Sequence, residues 1–286
     1  MRWTPGDRGN IDDLRGSSGG RGFGAVPMGI GGVLVLLVLS WFTGIDFLSL
    51  VGNQPSSSVE RSSGTGGAVA SSPEEEKMVL FVDAVMEDIQ QTWEQKLPGR
   101  YERTRVGLFR EAVDSGCGFA QSAVGPFYCP ADRKVYLDLS FFNELQNRFR
   151  APGDFAQAYV IAHEVGHHVQ TLTGTEAQVR QRQAVDAGSR NELSVRMELQ
   201  ADCYAGVWGH LAAQPGRAQQ GKVELDPDDL EEGLRAASAI GDDTIQKRST
   251  GHVMPDKFTH GTSAQRVEWF RRGFDTGDPN ACNTFQ

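Results

Sequence analysis

Asp154-Phe155-Ala156-Gln157-Ala158-Tyr159-Val160-Ile161-Ala162-His163-Glu164-Val165-Gly166-His167 is the stretch on which the fold turns. Pro152-Gly153-Asp154 reads as a helix start with Asp154 as N-cap, and Gly174 reads as its C-cap. Phe155, Tyr159, Val160 and Ala162 supply an apolar face between them, so a core helix of about twenty residues is expected. In its middle stands His163-Glu164-x-x-His167. A spacing of four brings two imidazoles to one helix face, one turn apart, where both can reach one metal. Glu164 sits about 100° round the helix, placed to hold a metal-bound water rather than the metal. Two histidines and a glutamate buried without a metal or partners would be costly.

A catalytic zinc commonly takes three protein ligands and leaves one position for water. Downstream, Met197-Glu198-Leu199-Gln200-Ala201-Asp202-Cys203-Tyr204-Ala205-Gly206 lies in a second helical stretch, from about Arg190 to Ala213. Glu198 and Asp202 are four apart and share a face. The small residues Ala201, Ala205 and Gly206 suit close packing against another helix. The expected division of labour has Glu198 ligating zinc and Asp202 accepting the free ring N–H of a ligand histidine. A solvated carboxylate pair is the alternative. His168, Glu192, His210 and His260 are rivals for the third position. His168 points elsewhere on its helix, Glu192 has Arg196 four residues on as an ion-pair partner, and His210 reads as structural.

His-Glu-Val-Gly-His-His at 163–168, followed by Glu198-Leu199-Gln200-Ala201-Asp202-Cys203-Tyr204-Ala205-Gly206, resembles the putative neutral zinc metallopeptidases, bacterial proteins with one N-terminal membrane segment. The stretch from Cys117-Gly118 through Gly125-Pro126-Phe127-Tyr128-Cys129-Pro130 to Val135-Tyr136-Leu137-Asp138 shares the resemblance, as does the tail from Thr259-His260-Gly261-Thr262 to Cys282-Asn283-Thr284-Phe285. The match runs from about Glu75 to Gln286. More widely the chain is similar to gluzincins, especially membrane-bound CAAX and heat-shock endopeptidases, whose third ligand lies in a similar Glu-x-x-x-Asp helix. The resemblance implies a proteolytic fold. In those endopeptidases a Thr-His before the last catalytic helix supplies a transition-state donor, and His260 matches that position; a capping or structural histidine is the alternative.

The 286 residues suffice for one core plus appendages, and the net charge is −9. Acidic and basic residues balance in the first seventy, so the acidity belongs to the later body. An acidic body without a basic stripe excludes nucleic acid as the expected partner. None of the four cysteines forms a Cys-x-x-Cys pair, which speaks against a cysteine zinc cluster. Cys117 and Cys129 bracket a clipped hairpin, and a Cys203–Cys282 bond would pin the tail to the Glu198–Asp202 helix. Both pairings are expected if the body is exported to an oxidising compartment, with four buried thiols as the alternative.

Ala25 to Ile45 carries no charge, and 21 residues span about 30 Å as a helix, the thickness of the hydrocarbon core. Trp41 and Phe42 sit near its outer end. Arg2, Arg8, Arg15 and Arg21 precede it, and the next positive residue is Arg61. The positive-inside rule then puts the N-terminus in the cytosol and the body outside, in a single-pass membrane protein. A cleaved signal peptide is the competing reading. The organisation expected is a disordered cytosolic tail over 1–24, a transmembrane helix over 25–45, a Ser- and Gly-rich tether over 46–73 and a zinc metallopeptidase domain over 74–286.

Within the body, Glu74 to Lys96 shows a helical apolar stripe. Arg105–Arg110, Gly118–Val124, Phe127–Cys129 and Lys134–Leu139 read as strands, and Phe141–Phe149 as a short helix before the active-site helix. Pro227 to Lys247 reads as one polar helix after a loop, and a last helix carries Val267, Trp269, Phe270 and Phe274. The expected class is α+β: a zincin-like domain with a small antiparallel or mixed sheet and a mostly helical C-terminal half, preceded by the transmembrane helix. An edge strand in the Gly118–Tyr128 region is the expected partner for an extended peptide.

The expected chemistry is zinc-dependent peptide-bond hydrolysis of a peptide or protein substrate. Zinc on His163, His167 and Glu198 lowers the pKa of its water, Glu164 acts as general base, and His260 or Tyr204 assists the oxyanion. A catalytically inactive zinc-binding envelope protein and a zinc amidase of cell-wall peptides are the rival functions. The intact Glu164 argues against the first, since binding metal needs the ligands and not the base.

Overall fold

The computed structural model describes residues 1–16, 69 and 71–285. In chain order its elements are strand β1 (Ile11–Asp13), helix α1 (Pro73–Lys96), strands β2 (Arg105–Phe109), β3 (Ala112–Ser115), β4 (Gly118–Gln121), β5 (Phe127–Cys129) and β6 (Lys134–Asp138), then helices α2 (Ser140–Asn147), α3 (Asp154–Thr173), α4 (Thr175–Val185), α5 (Arg190–Ala212), α6 (Asp229–Ala239), α7 (Asp242–Thr250) and α8 (Ser263–Thr276). Strands thus precede the long run of helices, as the α+β expectation holds.

The main sheet has the order β1-β2-β6-β5. β1 and β2 are parallel with Ile11 opposite Val106, β2 and β6 are parallel with Val106 opposite Val135, and β5 is antiparallel to β6 with Tyr128 opposite Val135. The sheet is therefore mixed, and β5 forms one edge among the described residues. β3 and β4 make a separate antiparallel hairpin. Buried Val106, Leu108, Val135 and Leu137 alternate along β2 and β6 and face the helices. α1 lays Val82, Val85, Met86, Ile89 and Trp93 into the same core, and α3 runs through its middle, buried on nearly every side.

Both expected disulfides form. Cys117 bonds Cys129 across 12 residues and Cys203 bonds Cys282 across 79. The first ties the hairpin to edge strand β5. The second fastens the C-terminal turn to α5.

Several local expectations are corrected. The polar helix over Pro227–Lys247 is two helices, α6 and α7, broken at Ile240-Gly241. There Ser263 crowds the backbone, since a Cβ on Gly241 would sit 2.3 Å from its amide nitrogen. α4 and strand β3 were not anticipated. Asp154 does not cap α3: Gly153 is the N-cap residue, and the Phe155 N–H donates to Glu232 Oε2 of α6 at 3.1 Å. A tertiary carboxylate has taken the role expected of a local one.

The largest correction concerns the N-terminus. Residues 1–16 are no disordered tail but a folded arm on the body. β1 extends the sheet, Arg2 bridges Glu224 in antiparallel fashion, and Trp3 packs edge-on against Phe81 of α1 with ring centroids 5.2 Å apart. The Met1 ammonium lies among Asp154, Asp226 and Asp229 at 3.2–3.4 Å. Composition suggested disorder because the arm is short, glycine-bearing and charged, yet the Met1 ammonium, Arg2, Arg8, Asp12 and Arg15 all find oppositely charged partners on the body. The predicted membrane span over 25–45 and the tether as far as residue 68 lie outside the described residues. Among the described residues no helix is long and apolar enough to cross a membrane.

Candidate metal centre

The centre is assembled by α3, α5 and α8, and small residues set how close they come. A Cβ on Gly166, inside the histidine motif, would lie 3.0 Å from both Cα and O of Ala201 on α5. Only a hydrogen there lets the two helices close until His163 and His167 face Glu198. α8 crosses α5 closer still: a Cβ on Gly206 would meet Phe270 O at 2.0 Å, and one on Gly273 would meet Cys203 O at 1.9 Å. That contact carries Arg266 of α8 to Asp202 of α5.

His163 Nε2 is 3.1 Å from Glu198 Oε2, and His167 Nε2 is 3.5 Å from Glu198 Oε1. Ligand atoms of these three residues lie within 4.8 Å of one another. Each ring is held from behind. His163 Nδ1 faces Asp202 Oδ1 at 2.8 Å, and a carboxylate can only accept, so the ring proton belongs at Nδ1. His167 Nδ1 faces Gln170 Oε1 at 2.9 Å. The Gln170 amide nitrogen is already committed to Met197 O at 2.7 Å and Gln200 Oε1 at 3.1 Å, so its oxygen is the acceptor here. Both Nε2 atoms are thereby left with a lone pair toward the same point. Two imidazole nitrogens and a carboxylate oxygen converging there fit a three-ligand zinc site.

The support behind the rings runs deep. Asp202 is fully buried and takes a bidentate fork from Arg266, Nε to Oδ2 at 2.8 Å and Nη2 to Oδ1 at 2.9 Å. Tyr159 OH donates to the same Oδ1. On the other side, Gln200 Nε2 donates to Cys282 O at 3.0 Å. A line of amides thus joins the disulfide-fastened tail to His167 through Gln200 and Gln170.

Electrostatics follow this layout. Burial opposes charge on Asp202, but the Arg266 guanidinium and then His163 outweigh it and hold the carboxyl below its usual range. Burial likewise opposes charge on Glu198, yet His167, His163 and His260 keep it well below the carboxylate range, so it is anionic and ready for a cation. Glu164 differs. Burial pushes its carboxyl above the usual range, although His167 and His163 pull the other way and the Tyr128 backbone N–H also favours the charge. Two glutamates 34 positions apart in the chain thus shift in opposite directions, Glu198 down and Glu164 up.

The other named residues are placed as follows. His260 stands in the loop before α8, about half exposed, its backbone N–H donating to Asp242 Oδ2 at 2.7 Å and its Nδ1 3.2 Å from Asp242 Oδ1. Its charged form would help to hold Glu198 anionic. Tyr204 lies away from the centre. Its ring packs edge-on against Trp93 in the core, centroids 5.1 Å apart, on the side of α5 turned away from Asp202. The oxyanion role suggested for Tyr204 is withdrawn on this placement. His168 is buried between Tyr128 OH and Glu102 O, His210 holds Phe274 O, and Glu192 pairs with Arg196, so none of the three rivals joins the centre.

Sequence reading missed Arg266, Gln170, Gln200 and Asp242, and took Tyr159 for core packing alone. For Arg266 a signal existed. It shares a face of α8 with Phe270 and Gly273, at i, i+4 and i+7, where an arginine needs a buried partner.

A family model described as "Putative neutral zinc metallopeptidase" matches residues 1–285. "Uncharacterized protein YpfJ" of Escherichia coli (strain K12) is 46% identical over 296 residues, covering 100% of this chain and 99% of that protein. "Uncharacterized protein Mb2605" of Mycobacterium bovis is 46% identical over 208 residues, covering 71% of this chain and 69% of that protein. No solved structure matches. The chain, in which two histidines and a glutamate converge where a metal ion could be held, belongs to the putative neutral zinc metallopeptidase family.

Proposed function

We propose that this protein hydrolyses peptide bonds at a zinc ion held by His163, His167 and Glu198, with Glu164 as general base, in a zincin-like body. The observation that carries the reading is the convergence of His163 Nε2, His167 Nε2 and the Glu198 carboxylate, whose ligand atoms lie within 4.8 Å of one another, with Glu164 next to His163 on the same helix. Zinc bound there supplies a water acidified toward neutral pH and a Lewis acid for a carbonyl oxygen. Asp202 orients His163 and Gln170 orients His167, so the donor atoms need not reorganise. Glu164 accepts the proton of the attacking water and delivers it to the leaving amine. His260, half exposed and anchored by Asp242, is the candidate donor to the negative charge that develops on the carbonyl oxygen.

Substrate geometry follows from the sheet. β5 is an edge strand, and its Tyr128 N–H is the backbone group that favours charge on Glu164. An extended peptide adding to that edge passes beside the base. This narrows the expected Gly118–Tyr128 region to β5, because β4 pairs only in the separate hairpin.

The test is Glu164→Gln, which keeps shape and removes the base. The variant should retain zinc and its fold while cleaving a peptide library about 10² to 10⁴ times more slowly. Wild-type turnover by the variant would refute the mechanism, and no cleavage by the zinc-loaded wild type would favour a binding role.

A further inference from the structure

The arm raises a question that the metal centre does not. A single membrane crossing at Ala25–Ile45 would put residues 1–16 and the body on opposite faces, separated by a hydrocarbon core of about 30 Å. The structure instead joins them by buried groups on both partners. Asp83 of α1, 1% exposed, accepts Arg8 N–H and Asn10 N–H, each at 2.8 Å, and Asn10 Nδ2 at 3.1 Å. Gln90, fully buried, donates to Asn10 Oδ1 at 2.6 Å. Arg15, its side chain 1% exposed, pairs with Asp13 and with Glu75 at 2.9 Å. Lys134 Nζ of β6 reaches Asp12 at 2.5 Å, and β1 continues the sheet beyond β2.

Withdrawing the arm would uncover Phe81, leave β2 as an open edge and strip three donors from Asp83. Open edges are templates for unwanted pairing, and a body built to stand alone covers or breaks them. The arm's arginines carry a second argument. Arg2, Arg8 and Arg15 are three of the four positive charges that pointed the N-terminus toward the cytosol. In the fold, Arg2 pairs with Glu224 and Asp226, Arg8 with Glu76, and Arg15 with Glu75. Arginines held on the far face of a bilayer could not make these pairs.

We infer that the arm and the body share one compartment, docked as one folded unit, against the topology expected from the charges before the apolar run. The arm is a strand of the body that the sequence happens to place before that run. This inference is independent of the catalytic reading, since it concerns α1 and the sheet edge and not the metal ligands.

Two measurements on the full-length chain decide it. All four native cysteines are in disulfides, so single thiols can be added at exposed Thr4 on the arm and exposed Asn143 on α2. Thr4→Cys and Asn143→Cys are each treated in intact cells with a membrane-impermeant maleimide, before and after permeabilisation. Both should label from the same side. In parallel, a water-soluble carbodiimide applied to the purified protein should join Asp12 to Lys134, found by peptide mapping. Opposite labelling overturns the inference, and so does same-side labelling without an Asp12–Lys134 link, because the arm would then not be docked.

Discussion

The two most deeply buried carboxylates among the described residues, Asp202 beside the candidate metal centre and Asp83 beneath the N-terminal arm, are satisfied by different means. Asp202 meets a full positive charge, the Arg266 fork, along with Tyr159 and His163. Asp83 meets the neutral backbone amides of Arg8 and Asn10 and the Asn10 side-chain amide. A guanidinium fork fixes a carboxylate in distance and in plane, and that precision passes on to the tautomer and orientation of His163. Backbone amides fix something else, the path of a chain segment. One arrangement holds an atom for chemistry and the other holds a strand in register.

Breaking the pair at the centre should have the larger effect. Arg266→Ala leaves Asp202 buried without its countercharge, which costs about 3–5 kcal/mol when one member of a buried pair is removed. Chemical denaturation should show that loss, and metal analysis should show less zinc, since His163 is no longer braced. Unchanged stability would mean that Tyr159 and His163 suffice for Asp202, and the contrast with Asp83 would disappear.

At the arm the effect should be smaller and should stay local. Asp83→Asn turns an amide N–H toward donors and leaves at least one of them unpaired, at about 1–3 kcal/mol. Hydrogen exchange should rise in residues 1–16 and in β2 while zinc content stays at the wild-type level. Zinc loss equal to that of Arg266→Ala would show that arm and centre are one cooperative unit.

The weakest effect is set by pH. Asp13 is held below its usual range by Arg15, and Asp12 by Lys134 and Arg105 against the opposing burial. Glu75 is lowered by Arg110 and Arg15, again against burial. A folded-state pKa below the unfolded one gives stability that is complete above the unfolded value and lost as pH falls through the folded value. The arm should therefore remain docked at neutral pH and loosen below about pH 4. Yield of the Asp12–Lys134 cross-link would not report this, as carbodiimide chemistry itself varies with pH. Exchange protection of Ile11–Asp13 would, and protection unchanged down to about pH 2 would show that backbone pairing, not charge, holds the arm.

Spacing within single helices carried most of the centre. His163 and His167 are one turn apart on α3 and Glu198 and Asp202 one turn apart on α5, and the period of 3.6 puts each pair on a face whatever surrounds it, with Glu164 about 100° round from His163. The same holds for the stripe of α1 and for the alternation along β2 and β6. The two disulfides were expected from the 12-residue bracket of Cys117 and Cys129 and from the pinning of the tail to α5 that a Cys203–Cys282 bond provides. What the sequence by itself determined is therefore local: which residues share a face, and which of those have the chemistry of ligand, base and brace.

The tertiary structure decided what depends on residues distant in sequence. Arg266 is 64 positions from Asp202 and reaches it because Gly206 and Gly273 let α5 and α8 touch backbone to backbone. Glu232 caps α3 from 77 positions away, and Asp83 captures Asn10 from 73. Tyr204, which shares a motif with Glu198 and Asp202, turns to Trp93 on the far side of its helix. Composition marked the arm as a disordered tail because composition records how many charges a segment has and not where their partners lie. A helix face is set by bond geometry within a few residues, whereas a buried charge is set by whichever group the fold brings against it.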